Sequence, residues 1–357
     1  AIRPKGAGGH FWVTAHDTSY QYVGDVSRSN DAGLQSLQMK DVPYVTLPIG
    51  GADDFSTSVV FSDSKDSFVI TQPVKGTTPI TAPAKFLFGS TGGIISAWSE
   101  HKAADGTFDR SDKAVSVIDE SARGAQFFGI ALNADYSRLY AANFGKQMGL
   151  EVFDAQFKPA GVTFDTPFDA NKNGKVDVGE YAPFNVAALT TPKGEHHVFV
   201  AYAKTKGCDD EGAAKKECVM GEVYAGEEDD SATGNGRLAE FSEDGKLVRV
   251  WSDGNQLNAP WGMAYAPADF GALSGKLLVA NFGSGTIAAF DPDTHKYSDV
   301  VRDAKGKPLL VDKIWGLLFG NGESLGDSNA LYYTAGPDDE KDGIFGSIRN
   351  ANLTNIH

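Results

Sequence analysis

Residues 260–291 hold three short segments: Pro260-Trp261-Gly262-Met263-Ala264, Leu277-Leu278-Val279-Ala280-Asn281-Phe282-Gly283 and Thr286-Ile287-Ala288-Ala289-Phe290-Asp291. Each reads as a strand closed by a turn signal. The same order recurs in Phe128-Gly129-Ile130-Ala131, Leu139-Tyr140-Ala141-Ala142-Asn143-Phe144-Gly145 and Leu150-Glu151-Val152-Phe153-Asp154. A third copy runs through Trp315-Gly316-Leu317, Leu331-Tyr332-Tyr333-Thr334-Ala335-Gly336 and Gly343-Ile344-Phe345-Gly346. Three or four short strands repeated at blade length are the signature of a β-propeller.

Working outward, six such units can be drawn. The first contains Phe11-Trp12-Val13-Thr14, and the second runs from Ser58 to Trp98. The others cover about 115–160, 180–252, 258–300 and 308–350. No long segment has a 3.6-residue period. The expected fold is therefore all-β: one six-bladed propeller over 1–357. A blade is not stable without neighbours, and the ring must close. The first unit is short of a strand on its N-terminal side, and the tail Gly346-Ser347-Ile348-Arg349-Asn350 is the expected donor, which would remove an exposed edge.

Composition agrees. With 357 residues, 41% of them hydrophobic, the chain can bury a large core, and 41 glycines suit many tight turns. A net charge of −15 repels phosphate backbones, so nucleic acid is not an expected partner. No run reaches the ~18 apolar residues that cross a bilayer. The chain begins Ala1-Ile2-Arg3 without Met, the form left by removal of a signal peptide. A periplasmic or extracellular location is the expectation.

Two insertions break the repeat, at 165–182 and at 204–236. The second is acidic and carries Cys208 and Cys218, for which a short-loop disulfide is expected. The first contains Asp169-Ala170-Asn171-Lys172-Asn173-Gly174-Lys175-Val176-Asp177-Val178-Gly179-Glu180. All twelve positions suit an EF-hand calcium loop. Asp169, Asn171, Asn173 and Asp177 offer side-chain oxygens, Lys175 its backbone carbonyl, and Glu180 both carboxylate oxygens. Gly174 stands where the chain must turn sharply. Pro183 argues against a long exit helix, so the reading is an isolated EF-hand-like loop with structural Ca2+. The alternative is an Asn/Gly-rich turn that binds nothing.

Asn143 and Asn281 hold equivalent strand ends in two repeats, and Asp17 could match them in the first unit. Such oxygens can ring a second divalent ion at a propeller's channel, with His16 as a base. The alternative is that the Asn side chains cap turns, and that His16-Asp17 is simply a turn. Trp261 and Trp315 are expected to pack in the core. P-loop and GxGxxG dinucleotide signatures are absent.

Asn258-Ala259-Pro260-Trp261-Gly262 through Phe282-Gly283 resembles an uncharacterised bacterial family of secreted six-bladed propellers, distantly NHL-repeat-like. So do Trp315-Gly316-Leu317-Leu318-Phe319-Gly320-Asn321-Gly322, Tyr333-Thr334-Ala335-Gly336-Pro337, Tyr181-Ala182-Pro183-Phe184-Asn185 and Ala201-Tyr202-Ala203-Lys204. The resemblance starts near residue 55 and is closest after 255. It implies a propeller and export, and no activity. The calcium loop and the cysteine insertion depart from that family's pattern. Two functions follow. One is a calcium-stabilised module binding a small molecule or protein. The other is a metal-dependent lactone or ester hydrolase, similar to gluconolactonase and paraoxonase propellers.

Overall fold

In the computed structural model, residues 1–3, 10–22, 44–74, 78–102, 106, 108–209, 218–323 and 326–350 are described. They are all-β: the helical elements among them are two three-residue 3-10 turns. The chain divides into two compact units. The first holds 1–141, 151–162 and 320–327, and the second holds 142–150, 163–319 and 328–357.

The first unit is built on antiparallel meanders. One sheet joins Phe11–Ala15, Thr18–Tyr22 and Tyr44–Thr46. The next is ordered Val115–Asp119, Ile94–Trp98, Phe86–Ser90, Ser56–Phe61. A third joins Phe127–Leu132, Arg138–Asn143 and Gly149–Asp154, with its chain crossing into the second unit at 142–150. The opening strands lie side by side: Ser56–Phe61 packs beside both Phe11–Ala15 and Phe127–Leu132. Between the first two sheets lie Trp12, Val45, Phe86, Phe88 and Trp98. Between the next two lie Leu87, Ile95, Phe127, Leu139 and Phe153.

The second unit repeats the plan. Tyr181–Thr190, His196–Gly207, Gly236–Phe241 and Leu247–Val250 form one sheet, with Val223–Glu228 paired on the long second strand. Pro260–Tyr265, Leu277–Asn281, Ile287–Asp291 and Lys296–Val300 form the next, and Ile314–Phe319, Leu331–Ala335 and Ile344–Ile348 the last. Pro260–Tyr265 packs beside both Tyr181–Thr190 and Ile314–Phe319. Every residue of Leu277–Asn281 is buried. This follows from its position, because an apolar strand covered by a sheet on each side has no wet face.

The Trp-Gly pair has a steric reason. A Cβ on Gly262 would stand 2.4 Å from the Trp315 carbonyl and 2.8 Å from the Leu317 nitrogen. Only glycine lets the two opening strands come so close. The tryptophans themselves depart from expectation. Trp98 and Trp251 fill the cores, while Trp261 and Trp315 are only half-buried and meet edge to face at 5.5 Å. The tail also departs. Ile344–Ile348 pairs with Leu331–Ala335 in its own sheet. The edge of the first sheet is extended instead by Ala1, which exchanges two backbone hydrogen bonds with Trp12.

Candidate functional site

The 169–180 loop is a series of turns held by its own acids. The Asp169 carboxylate accepts the N–H of Asn173 at 3.2 Å and of Gly174 at 2.8 Å. Glu180 folds back to accept the N–H of Ala170 and of Asp177, both at 3.0 Å. Both ends of the twelve-residue stretch are thus drawn toward its middle. The Asn171 and Asn173 amides donate to one oxygen of Asp177, at 2.5 and 2.8 Å. Gly174, at φ 75°, occupies the left-handed region that the sharp turn requires. Buried Thr205 fastens the loop to the sheet. Its hydroxyl donates to the Asp177 and Glu180 carbonyls and accepts from the Gly179 N–H. Among the described residues, no three His, Cys, Asp or Glu side chains converge as a metal-binding group. The loop's candidate donors therefore include the Asn amide oxygens and the Lys175 carbonyl.

Cys208 and Cys218 form a disulfide, with Cα atoms 5.4 Å apart. Residues 210–217 of that insertion lie outside the described residues.

The expected second metal set is dispersed among local roles. Asp17 belongs to the first unit, Asn143 and Asn281 to the second. Asn143 accepts the Gly145 N–H and donates to the Lys146 and Gln147 carbonyls. Asn281 accepts the Asn258 N–H and donates to the Gln256 carbonyl and the Thr286 hydroxyl. Both are fully buried turn caps. His16 and Asp17 form the two-residue tip of a hairpin whose last pair is Ala15 and Thr18. His16 Nδ1 lies 3.6 Å from Asp17, and both side chains are more than half exposed.

The phenylalanines that follow the two Asn caps form part of an aromatic cluster. Phe184 packs against Phe144 at 5.0 Å and against Trp315 at 5.8 Å, and Phe282 lies 4.3 Å from Trp315. Acids surround this cluster. Trp315 Nε1 donates to Glu340 at 2.6 Å. The Lys313 ammonium sits 4.2 Å over the Phe282 ring and 2.8 Å from Asp230. Burial, with help from Asp230 and Glu227 and against Lys313, pushes Glu228 up to about 7. Burial also raises Glu340, opposed by the Trp315 hydrogen bond and Lys313. Asp338, Asp339 and Glu340 are consecutive left-handed residues, at φ 57°, 52° and 61°. Each such L-residue costs roughly 1–2 kcal/mol.

A separate cleft of about 460 Å³ opens between the 181–250 and 260–300 sheets. Glu240, 3% exposed, lies at its base. It bonds His197 Nδ1 at 2.5 Å and Trp251 Nε1 at 2.9 Å, and the Arg249 guanidinium is 3.2 Å away. Arg249 also contacts His295. Burial and the Arg249 charge hold His295 below its ordinary pKa. Lys276 pairs with Asp291 at 2.5 Å on the wall. Sequence reasoning missed this group because its members sit on four strands and the turns beside them, with no shared spacing.

Comparison with known proteins is sparse in function. No described family matches the chain. Three uncharacterised proteins of Acanthamoeba polyphaga mimivirus are similar to it. One is 29% identical over 261 residues, 72% of this chain and 57% of its own length. Another is 25% identical over 274 residues, 76% and 44%. A third is 29% identical over 261 residues, 72% and 62%. The chain thus spans about half the length of the curated relatives it matches. These viral relatives correct the expected assignment to a bacterial family of secreted propellers. Similar solved structures include a gluconolactonase from Xanthomonas campestris at 15% identity, covering 73% of this chain and 70% of that one, with TM-score 0.40. A Bacteroides caccae protein of unknown function has 11% identity, covers 91% and 80%, and scores 0.45. A glucose dehydrogenase has 13% identity, covers 98% and 95%, and scores 0.48.

Proposed function

We propose that this chain is an exported six-bladed β-propeller that holds one structural calcium ion in the 169–180 loop and works as a binding module. The side-by-side opening strands within each unit support the propeller. The observation that carries the metal reading is the inward fold of Asp169 and Glu180 onto the loop's own N–H groups. It gathers carboxylate, amide and carbonyl oxygens on one short segment, the hard donor set calcium takes. Two amide groups converge on the Asp177 carboxylate, whose charge a cation would neutralise. Thr205 would pass the ion's rigidity to the His196–Gly207 strand. Calorimetric titration of Ca2+ into chelator-stripped protein tests this. One site is expected, and Asp169→Ala and Glu180→Ala should each abolish it. A stripped wild type that takes up no calcium would sink the reading.

A second reading is an ester or lactone hydrolase. It is favoured by Glu228, a carboxyl raised into the range where a general base works at neutral pH. In this reading the acids around Lys313 replace Asp17, Asn143, Asn281 and His16 as the candidate machinery, because the Asn side chains are already committed to their turns. A panel of lactones and aryl esters decides it. Turnover that survives in Glu228→Gln would remove Glu228 from the role.

A further inference from the structure

We propose that the cleft between the 181–250 and 260–300 sheets binds a neutral carbohydrate, a pyranoside of one or two rings. Its volume of about 460 Å³ falls within the range of small-ligand sites. The base of the cleft is built by substitution into the repeat. In the third strand of each sheet, the residue before the phenylalanine is Val152 in one unit and Ala289 in another, but Glu240 here. Val152 and Ala289 are buried apolar side chains, so the fold asks for nothing polar at this place. A buried carboxylate carries a large desolvation penalty. Glu240 is held by hydrogen bonds from His197 and Trp251, with the Arg249 guanidinium 3.2 Å away as a counter-charge. His295 stands beside it at φ 59°, a backbone region disfavoured for a non-glycine residue.

The lining selects the ligand's class. Lys193, Arg249 and Lys276 face Glu195, Glu240, Asp291 and Asp293, and His295 is held toward its neutral form. Cations and anions nearly balance, on a chain with net charge −15. An inorganic anion would gain little from such a site. A sugar hydroxyl both donates and accepts. The Lys276–Asp291 and Arg249–Glu240 pairs each present a donor beside an acceptor, which suits adjacent hydroxyls. Tyr265 lines the same cleft and adds a ring for the C–H face of a pyranose. Nothing here depends on the calcium loop.

Saturation-transfer NMR on the full chain tests it, with methyl pyranosides of gluco, galacto and manno configuration, in calcium and in chelator. At least one should bind in both buffers. Tyr265→Leu should weaken it roughly threefold or more, and Lys276→Met roughly tenfold, with melting curves confirming that both variants fold. The proposal is overturned if no pyranoside binds the wild type, if both folded variants bind as the wild type does, or if inorganic phosphate competes the sugar away.

Discussion

Glu228 shows how one residue's surroundings set a measurable property. Its carboxyl lies at the end of the Val223–Glu228 strand, with Asp230 and Glu227 adding their fields and Lys313 opposing them. Burial is the largest cause, raising it from the ordinary 4.5 to about 7. The folded chain therefore holds a proton that the unfolded chain releases between those two values. Stability from this group is fully present below about 4.5 and is lost as pH rises through about 7. The loss across that whole window is on the order of 3–4 kcal/mol, since one pKa unit corresponds to ~1.4 kcal/mol. Urea denaturation at pH 5 and pH 8 should show most of that drop in the wild type and a flatter profile in Glu228→Gln. Equal slopes in the two proteins would mean that the carboxyl is ionised in the fold at neutral pH. His295 works in the opposite sense, because its pKa is lowered and its neutral form is the one the fold prefers.

At the scale of elements, what was legible in the sequence depended on local signals. The strands Arg138–Asn143 and Leu277–Asn281 were readable because an apolar run ended by Asn-Phe-Gly is a contiguous pattern. The disulfide was readable from two cysteines in one polar insertion. The tail's partner was not, because an edge strand such as Ile344–Ile348 carries no mark of which neighbour it joins. Nor was the cleft, since Glu240, Tyr265 and His295 meet only once two sheets stack. The half-buried state of Trp315 has the same origin: Trp-Gly looks like core packing, but the Gly serves the close strand approach and leaves the indole for Glu340. The insertion offers an element-scale prediction. Closing a loop with sequence separation 10 restricts the unfolded chain, which is worth roughly 2–3 kcal/mol in the loop-entropy account. Cys208→Ser with Cys218→Ser should lower stability by about that much, read from denaturant midpoints at unchanged slope. A change below about 0.5 kcal/mol would show that the insertion unfolds independently of the sheets.

At the scale of the whole molecule, stability comes, within each unit, from consecutive sheets covering one another. The last sheet of the second unit illustrates it. Ile314, Leu317 and Leu331 share a core with Ala264, Leu278, Ala280, Ile287 and Ala289 of the preceding sheet, and Phe319, Tyr333 and Ile348 pack at its margin. A chain ending at residue 310 would open that whole face to water. Each large apolar side chain so exposed forfeits about 1.5–3 kcal/mol. Leu278 and Ile287 together therefore account for roughly 3–6 kcal/mol, against a total stability of about 5–15 kcal/mol for an ordinary protein. Calcium cannot compensate, because an ion at a hundred times its Kd adds only ~2.7 kcal/mol. The shortened chain is expected to aggregate or to melt without a cooperative transition, binding a hydrophobic dye already at 25 °C. A monomeric product with a sharp transition within about 5 °C of the full chain would mean that the 260–300 sheet is stable without its neighbour. The repeat would then be a row of self-sufficient sheets rather than a set of mutually dependent blades.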